Sequence, residues 1–261
     1  MPLRTVTATR YVTPLWEGGS LPALIEADDG NLYVLKFRGA GQGLKTLIAE
    51  LVAGEIIRAV GLRVPELVFV VLDAALGQSE PHPEIHDLLR ASVGLNLALA
   101  YLPGALAFDP LLSPPPDPLL ASAVVWCDSF LTNVDRTARN TNMLIYEQQI
   151  WLIDHGAALY IHHTWADYMT HARSRFALVR EHVLLPFAHQ ISEIDSVLMS
   201  RLSAEHIREI VALIPDEWLG DENTFASAEA HRSAYADYLA VRLEAPRAFV
   251  EEAAHAHAQC V

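Results

Sequence analysis

The segment TNVDRTARNTNML, residues 132–144, is closely followed by WLIDHG, residues 151–156. Together they place Asp135 ahead of Asn140, and then a hydrophobic strand, a turn and a second strand that ends in Asp-x-Gly at Asp154. Phosphoryl transfer requires a carboxylate near the attacking hydroxyl and oxygen ligands that hold Mg²⁺ against the phosphates of ATP. One loop and one strand end supply side chains for both tasks, so the segment predicts a phosphotransfer site.

The order of these parts carries the prediction, because Asp-x-x-x-x-Asn alone occurs by chance in most chains of this length. When the pair is followed by two short strands and Asp-x-Gly, the pattern matches the order of the catalytic loop and the metal-binding loop in kinases. The combined pattern therefore favours a kinase-like site over a solvated loop.

The N-terminal part of the chain is rich in predicted strands. Short β-prone runs separated by turn residues indicate a three-stranded meander, and apolar residues at helical spacing indicate one amphipathic helix before two further strands. The strands are predicted at residues 11–16, 21–27, 32–37, 67–72 and 95–102, and the helix at residues 44–60.

The C-terminal part reads as mainly helical. A proline-rich stretch at residues 109–118 cannot form regular structure and precedes the rest. A helix is predicted at residues 119–131, two short strands at 142–147 and 149–154, and a helix-rich region at 168–261. This order predicts an α+β fold of two lobes: a strand-rich nucleotide-binding lobe over residues 1–103 and a mainly helical catalytic lobe over residues 104–261.

The stretches LTNVDRTARNTNML and LIDHGAAL resemble the kinase domain of the HipA family and, more distantly, type II phosphatidylinositol 4-kinases. The resemblance runs over about residues 11–160. It implies a bilobal, protein-kinase-like fold that uses ATP. It also implies that Asp135 is the catalytic carboxylate and that Asn140 and Asp154 bind Mg²⁺.

Lys36 ends an apolar strand, where kinases place a lysine that holds the α- and β-phosphates and pairs with a glutamate of the next helix. Two glutamates are candidates for this partner. A helical wheel places Glu55 within the apolar stripe and Glu50 on the polar side. In HipA-like sequences, however, the glutamate stands eleven residues before the glycine that ends the helix, and that position is Glu50. Both stay candidates, with a slight preference for Glu50.

Two further segments are candidates for contacts with the nucleotide. Gly18, Gly19 and Ser20 lie between the first two predicted strands, where a loop could cover the phosphates with its backbone N–H groups, although a Gly-Gly hairpin also forms for structural reasons alone. Tyr101 and Leu102 lie at the predicted hinge between the lobes and would hydrogen-bond adenine through backbone groups. Their position alone supports this role.

Composition excludes several classes of protein. A formal net charge of −14 and no clustered basic stretch argue against direct binding to nucleic acid. No run reaches the roughly 20 apolar residues that a membrane span requires, and the first residues lack a secretory signal, so we expect a soluble cytoplasmic protein. Cys127 and Cys260 are too far apart in the sequence to suggest a disulfide framework.

The sequence leaves the acceptor open. The resemblance favours Ser or Thr of a protein, while a small molecule or a lipid is the alternative, and a nucleotide-binding pseudokinase scaffold is a rival class. A third hypothesis is a zinc-dependent hydrolase, because histidines and an aspartate at short spacings can bind zinc. The residues of that cluster are His155, His162, His163, Asp167 and His171.

Overall fold

The computed structural model describes residues 3–15, 21–41, 43–77, 82–112, 114–219 and 224–260. The chain forms two compact units, Met1–Leu51 with Pro65–Gly104 and Val52–Val64 with Ala105–Val261. The first is rich in strands and the second is mainly helical, which confirms the predicted mixed α+β class. The assignment of a nucleotide-binding lobe to residues 1–103 and a catalytic lobe to residues 104–261 stays a prediction.

A closed five-stranded barrel in the order β1-β2-β3-β5-β4 forms the first unit's sheet. Its strands are β1 (Thr5–Pro14), β2 (Ala23–Ala27), β3 (Leu32–Lys36), β4 (Leu67–Leu72) and β5 (Gly94–Ala100). The first three strands form the predicted antiparallel meander. The barrel closes because β1 also pairs in parallel with β4, a pairing that the sequence pattern did not predict.

Strand β1 begins at Thr5 rather than at residue 11, where the sequence pattern placed it. The alternation of a half-buried strand is present, since Val6 and Ala8 are buried between exposed threonines. Those polar residues concealed the strand, and it is the early residues of β1 that pair with β4.

A helix that the sequence analysis missed, α2 (Pro83–Ala91), also belongs to the first unit. Its proline occupies the first turn, where no backbone donor is lost. Ile85 and Leu89, four positions apart, are buried in the barrel core, and the partly buried Leu88 packs against it. Three such residues in a short polar stretch are a weak signal, which explains the omission. A short 3₁₀ helix, Ala74–Gly77, precedes it.

Helix α1 (Leu44–Ala59) has the predicted bounds within one residue, and the boundary between the two units falls inside it. It is not amphipathic as expected, because every residue from 47 to 53 is at most 1% exposed. A helix that is apolar on all sides is typically buried on all sides. The prediction that Glu50 lies on a polar face was therefore wrong, since Glu50 is fully buried.

The second unit contains a small antiparallel sheet and six helices within the described ranges. The sheet order is β6-β7-β8, and β7 with β8 forms the predicted hairpin. These elements are β6 (Leu106–Ala107), α3 (Pro118–Leu131), β7 (Met143–Tyr146), β8 (Gln149–Leu152), α4 (Tyr168–Ala172), α5 (Ile191–Arg201), α6 (Ala204–Val211), α7 (Ala228–Leu243) and α8 (Ala248–Cys260). Short 3₁₀ helices lie at Tyr160–His163, Ala177–Glu181, Leu185–Phe187 and Asp216–Trp218.

Helix α3 forms the centre of the second unit. It starts where the Asp117 side chain accepts hydrogen bonds from two backbone N–H groups of the first turn, with Pro118 at the first helical position. All residues from 121 to 131 are buried, and Trp126 and Phe130 pack against Phe249 of α8. In the described part of the chain, no helix is both long enough and apolar enough to cross a membrane.

Candidate active site

Lys36 and Glu50 form a buried ion pair in the first unit. Lys36 is the last residue of β3 and Glu50 lies in the middle of α1. Lys36 Nζ lies 3.8 Å from Glu50 Oε2, with the lysine side chain 7% exposed and the glutamate side chain 0% exposed. Two charges taken from water together are tolerated because each compensates the other. The predicted pairing of a strand lysine with a helix glutamate is thus present in the geometry.

The other candidate glutamate has a different environment. Glu55 Oε1 lies 3.5 Å from Arg58 Nη1, one helical turn away, and the Glu55 side chain is 20% exposed. Such i,i+3 pairs contribute little beyond local helix stability. Of the two glutamates, Glu50 is therefore the one that meets Lys36, as the spacing in HipA-like sequences implied.

The remaining nucleotide candidates of the first unit are less defined. Gly18, Gly19 and Ser20 lie outside the described residues, so their role as a phosphate-covering loop stays a prediction. The backbone N–H of Tyr101 donates to the carbonyl of Leu32 at 3.0 Å, so this donor is engaged within the barrel. The predicted contact with adenine then depends on the Tyr101 carbonyl and on Leu102, and it also stays a prediction.

In the second unit, the loop after α3 folds back on itself and brings Asn140 to Asp135. Backbone hydrogen bonds between Thr137 and Asn140 run in both directions, at 3.0 and 3.2 Å. This turn places Asn140 Nδ2 2.6 Å from Asp135 Oδ2, to which it donates a hydrogen bond. The loop therefore joins two of the three predicted side chains directly.

Asn142 connects this loop to the segment that carries Asp154. Its Nδ2 lies 3.4 Å both from Asp135 Oδ2 and from the carbonyl oxygen of Asp154. Its own carbonyl accepts a hydrogen bond from the backbone N–H of Ile153 at 3.0 Å. Asn142 and Asp154 both have left-handed backbone conformations, with φ of 48° and 55°. A buried asparagine thus fixes the backbone around Asp154 to the loop of Asp135.

Asp128, a buried residue of α3, anchors this loop through its carboxylate. Asp128 Oδ1 accepts a hydrogen bond from Asn133 Nδ2 at 2.9 Å. Asp128 Oδ2 lies 2.5 Å from Arg136 Nε and 3.0 Å from His182 Nε2. Burial by itself raises the pKa of Asp128, but the charge of Arg136 and the hydrogen bond with His182 outweigh burial and hold this pKa well below its ordinary range. Asp128 therefore keeps its negative charge inside the unit.

Arg136 extends this anchor to the second segment of the site. It is 1% exposed, and its Nη1 donates to the carbonyl of Asn142 and lies 3.5 Å from that of Ile153. Its own carbonyl accepts from the backbone N–H of Val183 at 3.1 Å. One guanidinium thus braces the loop that follows Asp135 against the strand end that precedes Asp154.

The polar atoms of this site suit a hard cation. The side-chain hydrogen bonds of Asp135 and Asn140 involve Asp135 Oδ2 and Asn140 Nδ2. Among the described residues, no donor forms a hydrogen bond with Asp135 Oδ1 or Asn140 Oδ1. Carboxylate and amide oxygens, including those of Asp154, are the ligands that Mg²⁺ prefers. Asn140 and Asp154 therefore fit the predicted metal role by chemistry, while their use as ligands stays a prediction.

The histidine cluster does not gather as a zinc site. His155 and His162 are fully buried, and His162 Nδ1 contacts the Tyr235 hydroxyl at 3.2 Å, while the rings of His162 and His163 pack edge to face. Within the described ranges, no three His, Cys, Asp or Glu side chains lie together in a way that could hold a metal ion. This finding removes the support for a zinc-dependent hydrolase.

Comparison with known proteins places the chain in a family. A family model of HipA-like kinases matches residues 10–245. The chain belongs to this family. A Helicobacter pylori proinflammatory kinase, CtkA, has a similar fold, with a TM-score of 0.59, 15% sequence identity, and coverage of 99% of this chain and 99% of that one. A comparison with curated protein sequences finds no match.

Family membership makes the chain a kinase and confirms the resemblance inferred from residues 131–144 and 152–159. The match also continues to residue 245, beyond residue 160, where the motif resemblance ended. Much of the C-terminal helical region therefore belongs to the HipA-like unit, although its sequence carries no motif that we could recognise.

Sequence analysis missed the buried network beneath the loop. Asp128 carried a signal that could have been read, because it is a charged residue within an apolar helix and such residues are rarely buried without partners. Arg136 lies in a polar segment with no sequence signal of burial, yet it is 1% exposed. His182 carried no signal, since its partner is 54 positions away in the sequence.

Proposed function

We propose that this HipA-like kinase transfers the γ-phosphate of ATP, with Mg²⁺, to the hydroxyl of a Ser or Thr in a protein. The observation that carries the proposal is the setting of the Asp135 carboxylate. Its Oδ2 accepts hydrogen bonds from the side-chain amides of Asn140 and Asn142, which restrains the orientation of the carboxylate. A carboxylate held in this way orients an acceptor hydroxyl and takes its proton as the phosphate is transferred.

The other residues receive roles by the same reasoning. Lys36 holds the phosphates of the nucleotide, and Glu50 keeps the lysine side chain directed and charged. Asn140 and Asp154 hold Mg²⁺, which neutralises charge on the phosphate oxygens when it is bound. We further propose that the chain has the bilobal organisation of kinases, in which the strand-rich unit binds the nucleotide and the helical unit carries the catalytic loop.

The first test uses labelled ATP and the variant Asp135→Asn. We expect the wild-type chain to transfer label to itself or to an added protein in a Mg²⁺-dependent manner. Asp135→Asn should keep the affinity for Mg-ATP and lower turnover about 10²- to 10⁴-fold, since the contribution of a general base arises in the transition state. A parallel loss of ATP affinity would make Asp135 a metal ligand, and unchanged turnover would mean that the wrong carboxylate is assigned.

The same reaction distinguishes the acceptor classes when its products are separated. Label in acid-stable protein supports the proposal. Label in a lipid or a small polyol would instead identify a small-molecule or lipid-type kinase. Binding of ATP without any transfer would indicate a pseudokinase scaffold, and the proposal would then be wrong.

The metal role is tested with Asp154→Asn. A carboxylate that pairs with the ion rather than with the base should matter only when the ion is present. Calorimetry should therefore show a marked loss of ATP affinity with Mg²⁺ and little loss in its absence. An equal loss in both titrations would show that Asp154 acts on the fold or on the nucleotide itself.

A further inference from the structure

Arg242, on α7, is a buried cation whose partners are backbone carbonyls. It is 2% exposed, and none of the described Asp or Glu side chains forms an ion pair with it. Its guanidinium donates at 2.8–3.4 Å to the carbonyls of Ser129, Phe130, His171, Ala172 and Ser174. A buried charge requires compensation, and here backbone carbonyls of two chain segments provide it instead of a carboxylate.

Both segments are ends of helices. Ser129 and Phe130 lie in the last turn of α3, and their carbonyls are 2.8 Å from Nη2 and Nε of the arginine. Ala172 is the last residue of α4, and its carbonyl is 3.2 Å from Nη1. The last carbonyls of a helix have no partner within the helix and carry the negative end of its dipole. One guanidinium fork therefore closes two helix ends at once.

The aromatic rings around Arg242 hold the fork in this orientation. The guanidinium carbon lies 5.7 Å from the ring centre of Tyr238 and 5.1 Å from that of Phe249. Burial lowers the pKa of Arg242, and Tyr238 partly opposes this effect. The planar group has five donors in a fixed arrangement, which a lysine cannot reproduce.

Helix α3 leads directly into the loop of the proposed catalytic carboxylate. Its last turn is followed by Thr132 in a left-handed conformation, then by Asn133, which donates to Asp128, and then by Asp135. We propose that Arg242 is a positioning residue for phosphotransfer: by joining the end of α3 to the end of α4, it sets where Asp135 stands. The inference rests on the proposed function, and it gives the C-terminal helices a role that their sequence did not reveal.

The test compares variants of Arg242 with a variant of Arg247. The first quantity measured is the turnover number, kcat. Arg247 also supports α3, because it forms a bidentate pair with Asp195 at 2.6 and 2.9 Å and Asp195 accepts from Trp126 Nε1. The Trp126 contact lies about one helical turn farther from Asp135 than the Arg242 contacts at Ser129 and Phe130. Arg247→Met therefore serves as the control for a merely structural loss in the same helix bundle.

At a temperature where circular dichroism shows all variants folded, we expect Arg242→Met to lower kcat about 100-fold and to leave the KM for Mg-ATP close to wild type. Arg242→Lys, which keeps the charge and loses the fork, should recover part of that loss and remains available if the methionine variant does not fold. Arg247→Met should lower the melting temperature and keep kcat. Equal kcat losses in both methionine variants, or none in Arg242→Met, would overturn the inference.

Amide hydrogen exchange supplies a readout that does not depend on activity. Residues 129–137 should exchange faster in Arg242→Lys or Arg242→Met than in the wild type, and not in Arg247→Met. If the wild-type chain transfers no phosphate, the proposed function fails. In that case hydrogen exchange alone tests whether Arg242 positions the loop. Unchanged exchange in residues 129–137 would show that Arg242 does not position it.

Discussion

Each of the two compact units buries an ion pair, and the two pairs differ in how tightly they are held. Lys36 Nζ lies 3.8 Å from Glu50 Oε2, beyond hydrogen-bond distance. In the second unit, Arg136 Nε lies 2.5 Å from Asp128 Oδ2, which His182 also contacts. An ammonium 3.8 Å from this carboxylate oxygen fits the proposed contact with phosphate oxygens, whereas a guanidinium 2.5 Å from a carboxylate oxygen fits a structural support. We therefore expect the first pair to serve ligand binding and the second to hold the loop.

The largest expected effect comes from removing the brace. Asp128→Ala leaves Arg136 buried without its carboxylate, and breaking such a pair costs about 3–5 kcal/mol. We expect the free energy of unfolding, measured with urea, to fall by that amount, and phosphotransfer to fall with it because the loop of Asp135 is no longer held. Lys36→Met also removes a counter-charge from the buried Glu50 carboxylate, but we expect a smaller loss of stability because Lys36 Nζ and Glu50 Oε2 are 3.8 Å apart. Equal losses in the two variants would remove the distinction between the pairs.

The second prediction concerns the ligand role of the looser pair. Lys36→Met removes the phosphate-binding charge with little change in volume, so the affinity for Mg-ATP should fall about 10- to 100-fold, the equivalent of one charge-assisted hydrogen bond of about 1.5–3 kcal/mol. Glu50→Gln should also lower the affinity for Mg-ATP. Glu55→Gln is the matched control on the same helix and should leave affinity unchanged. Full affinity in Lys36→Met would show that another group holds the phosphates.

The two pairs also differ in how well the sequence predicted them. The first pair was among the predicted site residues, and the second was not. Lys36, Asp135, Asn140 and Asp154 could be proposed because each occupies a fixed place relative to a strand or loop that its neighbours predict. Glu50 could be selected only through the spacing in related sequences, since the helical wheel assumed an exposed face that α1 does not have. Local pattern thus located the candidate site but not its surroundings.

The parts that were missed depend on contacts between distant segments. Barrel closure joins β1 to β4, more than sixty positions along the chain, and nothing local specifies that pairing. Arg242 reaches the end of α3 from a helix whose sequence shows only an ordinary apolar pattern. Such contacts are set by packing of the whole unit, so periodicity and turn signals do not report them.

The smallest expected effect is a pH dependence of the brace. Because the pKa of Asp128 is lowered in the folded chain, folding is favoured by its ionised form. Its contribution is fully present above the ordinary carboxyl pKa of about 4 and is lost as the pH falls from there toward the lower folded-state value. The stability difference between the wild type and Asp128→Asn should therefore be constant above about pH 5 and should narrow below about pH 4.

Asp29 in the first unit provides the comparison for this measurement. A hydrogen bond from Tyr33 lowers its pKa as well, against the opposing effect of burial, but its side chain is 24% exposed and water screens its charges. The wild type, Asp128→Asn and Asp29→Asn are unfolded with urea at a series of pH values. The stability difference from the wild type should decrease at low pH for both variants, and the decrease should be larger for Asp128→Asn. A difference for Asp128→Asn that stays constant down to pH 3 would mean that its carboxylate is not held ionised by Arg136 and His182, and the description of this network as a charged brace would be wrong.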